Sequence, residues 1–268
     1  MITLITMGQG NINALKRTVD NMSQLCDEVI FGDMLIFEED RKKLFEIFKG
    51  YNNIWFVQTP FNFIYKNGFA HTLNELAKFA KNNLVIYMNV SEVIDKNLNK
   101  DLITDQYNCY SFNHATDPHT WVRCYDKRYL GWSGFIHEVV VPRTPDDKLL
   151  LCPEHLFMMA DTEKDMDDPF KAKVFNDVKE LVYFKQYLRL VETPELSPAT
   201  HRGWRDWAID QYCDMKGRMR AKGKRYEAFE TGNLQMYLDD IATNPEFEQE
   251  RFESSKLVNF QGNRLDIL

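Results

Sequence analysis

Short apolar runs and helical repeats alternate along the first third of the chain, and this alternation limits the possible folds more than any other feature. The apolar runs predict strands at residues 2–7, 29–31, 54–57 and 84–88. Apolar residues at helical spacing predict helices between them, near residues 11–25, 41–48 and 69–82. The order β-α-β-α-β-α-β is typical of a parallel sheet with right-handed crossovers.

The pattern changes after residue 100. Three strand-like segments follow with short connections and no helical spacing between them, at residues 107–113, 120–125 and 135–141. From about residue 168 onward, helical spacing returns. We therefore predict an α/β fold, in which a Rossmann-type βαβ sheet carries a mixed or antiparallel strand extension and is followed by a C-terminal helical region.

Composition narrows the class of protein. The net charge of -7 over 268 residues gives no general case for a nucleic-acid binder. The five cysteines are scattered without a CxxC pair, which indicates reduced thiols in the cytoplasm and neither a disulfide framework nor a zinc site. The N-terminal residues lack the features of a signal peptide, and no apolar run is long enough to cross a membrane. We expect a cytoplasmic protein.

Polar residues follow the predicted strands at points where α/β sheets bind ligands. Asn89, Ser91 and Glu92 come directly after the apolar run 84–88, and ligands of open α/β sheets lie beyond the carboxyl ends of strands. Asp33 closes the second strand, where its carboxylate could accept hydrogen bonds from a dinucleotide or a nucleotide sugar. The alternative is an ordinary loop aspartate. The alternative for the first group is a loop that is merely polar.

The first strand ends in Gly8-Gln-Gly10, which suggests the dinucleotide fingerprint GxGxxG. The third glycine would fall at position 13, which is Asn. The fingerprint is therefore incomplete, and a plain strand-to-helix turn is the better interpretation.

Ionisable residues also lie within the predicted strand 135–141. His137 and Glu138 are adjacent and have apolar residues on both sides, so strand alternation points one of them inward. A buried ionisable group is costly unless it is paired, and such groups often have a functional role. The alternative is a structural histidine.

Three features together resemble family 2 glycosyltransferases of the GT-A fold. They are the β-α-β start ending in Asp33, the Asn-Val-Ser-Glu92 strand end where that family often has Asp-Ala-Asp-Glu, and the segment from Arg123 to Gly-Phe-Ile-His-Glu138, which is similar to the family's Arg-Leu-Phe-Arg…Gly-x-Val-His-Glu. The resemblance covers roughly residues 1–160. It implies a GT-A-like catalytic domain that binds a nucleotide sugar over residues 1–165 and a helical extension on the acceptor side over 166–268.

The resemblance implies an enzyme that moves a hexosyl or pentosyl group from a nucleotide diphosphate sugar to an acceptor hydroxyl, with inversion. Glu138 would be the base that deprotonates the acceptor, with Asp161 as the rival residue. The donor would contact residues at the ends of several strands, namely Thr6, Gly8, Asp33, Asn89, Ser91 and Arg123.

The family's aspartates hold a divalent cation, and here they are replaced by Asn89 and Ser91. Mg²⁺ and Mn²⁺ prefer carboxylate oxygens. Three outcomes follow from the replacement: weaker metal binding through Glu92 and His137, metal-free stabilisation by basic residues, or lost catalysis. Of these, we expect Mn²⁺ or Mg²⁺ to be retained.

A basic run lies in the predicted helical extension, with six Lys or Arg among residues 216–225 and Trp204 upstream. Arg218, Arg220 and Lys222 could bind a phosphate backbone, with an aromatic ring to stack a base. The acceptor could then be a nucleic acid, for example a hydroxylated base in DNA. The alternative for the basic run is a solvated helix face that binds nothing. The alternative acceptors are a saccharide and a protein.

Two other classes stay open. A non-catalytic GT-A-like binding module is supported by the Asn and Ser replacements. A Rossmann oxidoreductase would bind NAD(P), and the missing glycine and the antiparallel segments argue against it.

Overall fold

The computed structural model describes most of the chain up to residue 161 and three later positions. The described residues are 1–8, 12–34, 38–59, 63–64, 67–94, 100–114, 120–134, 138–156 and 158–161, with Tyr183, Tyr187 and Cys213. They form an α/β fold with a mixed sheet of eight strands and a separate two-stranded sheet. The predicted fold class is confirmed.

The N-terminal part has the predicted alternation. Its elements are β1 (Ile2–Gly8), α1 (Ile12–Met22), β2 (Glu28–Asp33), α2 (Glu38–Phe48), β3 (Ile54–Gln58), α3 (Phe69–Phe79) and β4 (Leu84–Tyr87). β1 lies between β2 and β4, β3 pairs with β2, and all three pairings are parallel. β2 is longer than predicted because Asp33 pairs with Gly8 on one side and Gln58 on the other.

Helices cover both faces of this parallel part. α1 buries Leu15, Val19 and Met22, whose helical spacing places them on one face, in the main hydrophobic cluster. α3 packs against β1 and β2 and approaches closely at Gly32, where an added Cβ would lie 2.8 Å from Leu76 Cδ1. Gly32 therefore allows the close packing of α3 on the sheet.

The later strands form the predicted mixed extension. They are β5 (Glu92–Ile94), β6 (Cys109–His114), β7 (Thr120–Asp126), β8 (Leu130–Ser133), β9 (Val139–Pro142) and β10 (Met158–Asp161), with a 3₁₀ turn at Lys100–Leu102. The sheet order is β3-β2-β1-β4-β7-β6-β10-β5, and β8 pairs with β9. β7 is antiparallel to β4 and β6, and β10 is parallel to β6.

The predicted strand 135–141 is wrong at Glu138, which precedes β9 and lies outside any strand. Gly134 has a φ of 102°, a left-handed conformation that a regular strand does not accommodate. Residues 135–137 lie outside the described ranges. The alternation argument that placed His137 and Glu138 on opposite faces therefore does not hold.

The sheet curls back on itself between its centre and its far edge. β4 and β5 are joined by residues 88–91 but are the fourth and eighth strands of the sheet. Glu92, the first residue of β5, forms an ion pair with Arg123 of β7 at 3.2 Å. The short β4–β5 turn therefore brings the far edge of the sheet back to its centre.

Beyond residue 161, Tyr183, Tyr187 and Cys213 are helical. The Tyr183 ring lies 6.0 Å from the Phe69 ring at the start of α3, so this position contacts the N-terminal part. The predicted domain boundary at 165 and the rest of the helical extension lie outside the described residues. In the part of the chain that is described, no helix has both the length and the apolar character needed to span a membrane.

The five cysteines are thiols that take part in no disulfide. Four are buried and Cys213 is exposed. Burial raises the pKa of Cys109 to about 12, so this thiol stays protonated and unreactive.

Candidate functional site

The turn between β4 and β5 is held in place by α1. The Thr18 hydroxyl lies 2.6 Å from the carbonyl oxygen of Val90 and 2.8 Å from that of Glu92. Asn21 bonds both backbone groups of Ile94, accepting from its N–H at 2.7 Å and donating to its carbonyl at 3.0 Å. Two polar residues on one helix therefore fix the backbone on which Glu92 sits.

Gly8 joins the end of β1 to the same turn. A Cβ at Gly8 would lie 2.6 Å from Val90 Cγ2, closer than such carbon atoms approach. The absence of a side chain at Gly8 thus allows the turn to sit against β1. The structure therefore brings the first-strand end and the residues after β4 together, as the sequence predicts.

Glu92 is a buried carboxylate at the centre of a hydrogen-bond network. Its side chain is 5% exposed, and Arg123 Nη2 donates to Oε1 at 3.2 Å. Asn89 donates twice, from its backbone N–H to Oε2 and from Nδ2 to Oε1, both at 2.6 Å. The Tyr87 hydroxyl donates to Asn89 Oδ1 at 2.8 Å, and burial raises the pKa of Tyr87, so its proton stays in place.

Arg123 lies against an aromatic wall. Its guanidinium carbon is 5.1 Å from the centre of the Tyr87 ring, and that ring is edge-on to Trp132 at 5.6 Å. Asn74 of α3 bonds the Trp132 backbone, accepting from its N–H at 2.9 Å and donating to its carbonyl at 2.8 Å. The charge of Arg123 is thereby held in a fixed position.

Glu138 is a half-buried carboxylate beside this network. Burial raises its pKa to about 7, although the positive charge of Arg123 acts in the opposite direction. Tyr183 lies close enough to Glu138 to be affected by its charge. Burial and this charge raise the pKa of Tyr183 to about 12. A carboxylate with a pKa near neutrality is suited to accept a proton from a substrate.

A second polar cluster lies at the ends of the first three strands. Asp33 is fully buried and accepts a hydrogen bond from Arg41 Nε at 3.1 Å. Gly8, Asp33 and Gln58 are adjacent in the sheet register. The amide group of Gln58 and the hydroxyl of Thr6 are both fully buried and have no hydrogen-bond partner among the described residues.

An unsatisfied buried polar group costs about 1–3 kcal/mol. Such groups therefore suggest that a ligand completes this polar cluster. Within it, the sequence predicted Thr6, Gly8 and Asp33 but not Gln58 or Arg41. Gln58 gave a signal, since like Asp33 it is a polar residue ending an apolar run.

The other predicted residues divide into two groups. Asn89 and Ser91 lie in the β4–β5 turn, and Glu92 follows it. Arg123 bonds Glu92, and the charge of Arg123 acts on Glu138. The register places the backbone of Asp161 opposite Glu92. Tyr87 belongs to the site as well and was missed, because within an apolar run it resembles a core residue. The remaining predicted residues lie outside the described ranges, namely His137, Trp204, Arg218, Arg220 and Lys222.

No protein-family model matches the chain, and no curated protein matches it. Solved structures of two proteins are remotely similar to the chain. The galactosyltransferase LgtC, in complex with donor and acceptor sugar analogs, matches 47% of this chain and 58% of its own at 13% identity and a TM-score of 0.35. The match therefore spans less than two thirds of LgtC.

S. aureus TarS is a second similar structure. Its 1–349 fragment matches 94% of this chain and 77% of its own at 9% identity, with a TM-score of 0.41. The same fragment in complex with UDP-GlcNAc matches 90% of this chain and 79% of its own at 10% identity, with a TM-score of 0.37.

Proposed function

We propose that this protein is a glycosyltransferase that moves a sugar from a nucleotide diphosphate to an acceptor hydroxyl. The observation that carries the proposal is the fixed cation of Arg123, which Glu92 and the Tyr87 ring hold at the carboxyl end of β4. The charge of Arg123 also acts on the half-buried carboxyl of Glu138. Displacement at a sugar carbon needs both a base for the acceptor and a positive charge for the leaving diphosphate.

In the proposed step, the acceptor hydroxyl gives its proton to Glu138 while its oxygen bonds to the anomeric carbon. The bond from that carbon to the diphosphate oxygen breaks on the opposite face, and the electron pair leaves with the nucleotide. Attack from one face and departure from the other inverts the anomeric centre. Asn89, Ser91 and Arg123 would line the diphosphate, and Asp161 is the second candidate base.

Nucleotide diphosphate release tests the proposal. The protein is incubated with UDP-, GDP-, CDP- and TDP-sugars, with and without hydroxyl acceptors, and the freed nucleotide is measured. We expect slow hydrolysis of one donor in the absence of acceptor and faster release with the correct acceptor. The alternative is a non-catalytic binding module, which agrees with the hydrogen bonds that both Glu92 oxygens already accept. For such a module we would expect nucleotide binding but no release of nucleotide diphosphate from any donor.

The nucleoside part of the donor would bind at the polar cluster of Thr6, Gly8, Asp33 and Gln58. The amide of Gln58 offers one donor and one acceptor, which complements the edge of a nucleobase. Replacing Gln58 by Met should raise the free energy of unfolding by about 1–3 kcal/mol, because an unsatisfied buried amide is removed. The same change should weaken nucleotide binding about tenfold.

Chemical unfolding and calorimetry with the preferred nucleotide diphosphate would measure both effects. Gln106→Met is the matched control, because Gln106 is exposed and should change neither quantity. A Gln58→Met protein that is less stable and binds the nucleotide normally would contradict a ligand-binding role.

We further propose that the acceptor is a nucleic acid held by Trp204, Arg218, Arg220 and Lys222. Binding of DNA containing hydroxylated bases should weaken steeply with salt, because phosphate contacts release counterions. A triple change of Arg218, Arg220 and Lys222 to Glu should abolish the gel shift.

The matched control carries the same charge change at Lys49, Lys78 and Lys81, which are 67–78% exposed. Equal loss of binding in both triple variants would indicate a general charge effect. That result, or no gel shift for the unmodified protein, would favour a saccharide acceptor.

A further inference from the structure

The carboxylate of Glu92 already accepts hydrogen bonds on both oxygens. Oε2 receives the backbone N–H of Asn89, and Oε1 receives Asn89 Nδ2 and Arg123 Nη2. The side chain is only 5% exposed. A divalent cation at Glu92 would therefore have to remove donors from a buried and nearly saturated carboxylate.

The surrounding groups also disfavour a cation. Asn89 Oδ1 accepts from the Tyr87 hydroxyl at 2.8 Å, so a neutral amide oxygen with one of its two lone pairs in use stands where the family often has an aspartate. The Arg123 guanidinium lies 3.2 Å from Glu92 Oε1, where its positive charge would repel a metal ion. Among the side chains that the structure describes, no group of three or more His, Cys, Asp or Glu could hold a metal. These residues do not fit Mg²⁺ or Mn²⁺.

Arg123 itself has the properties that the cation would supply. Its charge is permanent, since a guanidinium does not lose its proton in proteins. β7 positions it, Glu92 bonds it, and its guanidinium lies over the Tyr87 ring. With a side chain 11% exposed, it acts in surroundings where a fixed charge is screened less than in water.

We propose that Arg123 replaces the divalent cation, so that sugar transfer does not require a metal. The inference rests on the proposed glycosyltransferase function. As the bond between the sugar carbon and the diphosphate oxygen breaks, the negative charge that develops on that oxygen is stabilised by the guanidinium. Glu92 and Tyr87 are positioning residues, because they hold Arg123 and do not contact the diphosphate.

The experiment is donor turnover by the full chain in EDTA and in Mn²⁺. We expect equal rates in the two conditions, and calorimetry should show equal UDP or other nucleotide diphosphate affinity. Turnover that requires Mn²⁺ or Mg²⁺ would overturn the metal-free mechanism while leaving the glycosyltransferase function intact. No turnover of any donor in either condition would overturn that function, and this inference with it.

Variants separate a catalytic role of Arg123 from a structural one. Arg123→Gln should lower kcat in EDTA by about 10²–10³-fold with a much smaller change in KM, because the charge acts on the transition state. Arg123→Lys should recover part of kcat. Arg128→Gln is the matched control, since Arg128 is 54% exposed and bonds Asp126, and its kcat should be unchanged. An unchanged kcat for Arg123→Gln would contradict the inference.

Discussion

Replacing Glu138 by Gln should lower kcat for sugar transfer by roughly 10²–10⁴-fold, the usual contribution of a positioned base. Gln keeps the shape of the side chain but cannot accept the acceptor's proton. In the unmodified protein, kcat/KM should rise with pH through about 7, because burial holds the pKa of Glu138 there and only the carboxylate is active. The variant should lose this pH dependence.

Stability gives a second measurement on the same variant. Because the pKa of Glu138 is raised from 4.5 to about 7, the folded protein keeps a proton that the unfolded chain releases between these pH values. Stability therefore falls as the pH rises through this range, and Glu138→Gln should be more stable than the unmodified protein above pH 7. Glu46→Gln, at a position 76% exposed, should affect neither rate nor stability. Full transfer activity in Glu138→Gln would remove this residue as the base and leave Asp161 as the candidate.

Replacing Arg41 by Met should lower the free energy of unfolding by about 3–5 kcal/mol, because it breaks the buried ion pair between Arg41 and Asp33. Asp33 is fully buried, Arg41 is 10% exposed, and Nε lies 3.1 Å from Oδ2. A loss of this size is a large part of the stability of a typical domain. Denaturant unfolding measures it directly.

Adding Asp33→Asn to Arg41→Met should recover part of the lost stability, since the buried carboxylate charge that Arg41 paired with is then gone. Lys43→Met is the matched control at an exposed position of the same helix and should be nearly neutral. If the double variant is less stable than Arg41→Met alone, the buried charge is not the cause of the loss. The nucleotide affinity of the double variant should be lower than that of the unmodified protein, because the proposed donor contact at Asp33 is changed.

The parallel half of the fold could be predicted because its signals are local. Each of its strands is a run of apolar residues, and each helix repeats apolar residues on one face, as at Leu15, Val19 and Met22. Asp33 and Asn89 could be identified for the same reason, since each is a polar residue following such a run. Their positions at the carboxyl ends of β2 and β4, on either side of β1, follow from parallel pairing.

The rest depends on contacts between residues far apart in the chain. β5 and β10 have three and four residues, too few for a periodic signal, and pair across a long stretch of sequence. The ion pair of Arg123 with Glu92 exists only because the sheet curls. Glu138 lies within an apolar run that resembles a strand, yet it precedes β9 in the folded chain.

Calorimetry with UDP, GDP, CDP and TDP, each in EDTA and in Mn²⁺, tests the central claim most directly. The claim is that the ends of β1 to β4 form a site for a nucleotide diphosphate. We predict that one of the four binds, with the same affinity in both conditions, and that Gln58→Met weakens that binding about tenfold. No binding of any of the four, with or without Mn²⁺, would contradict the claim.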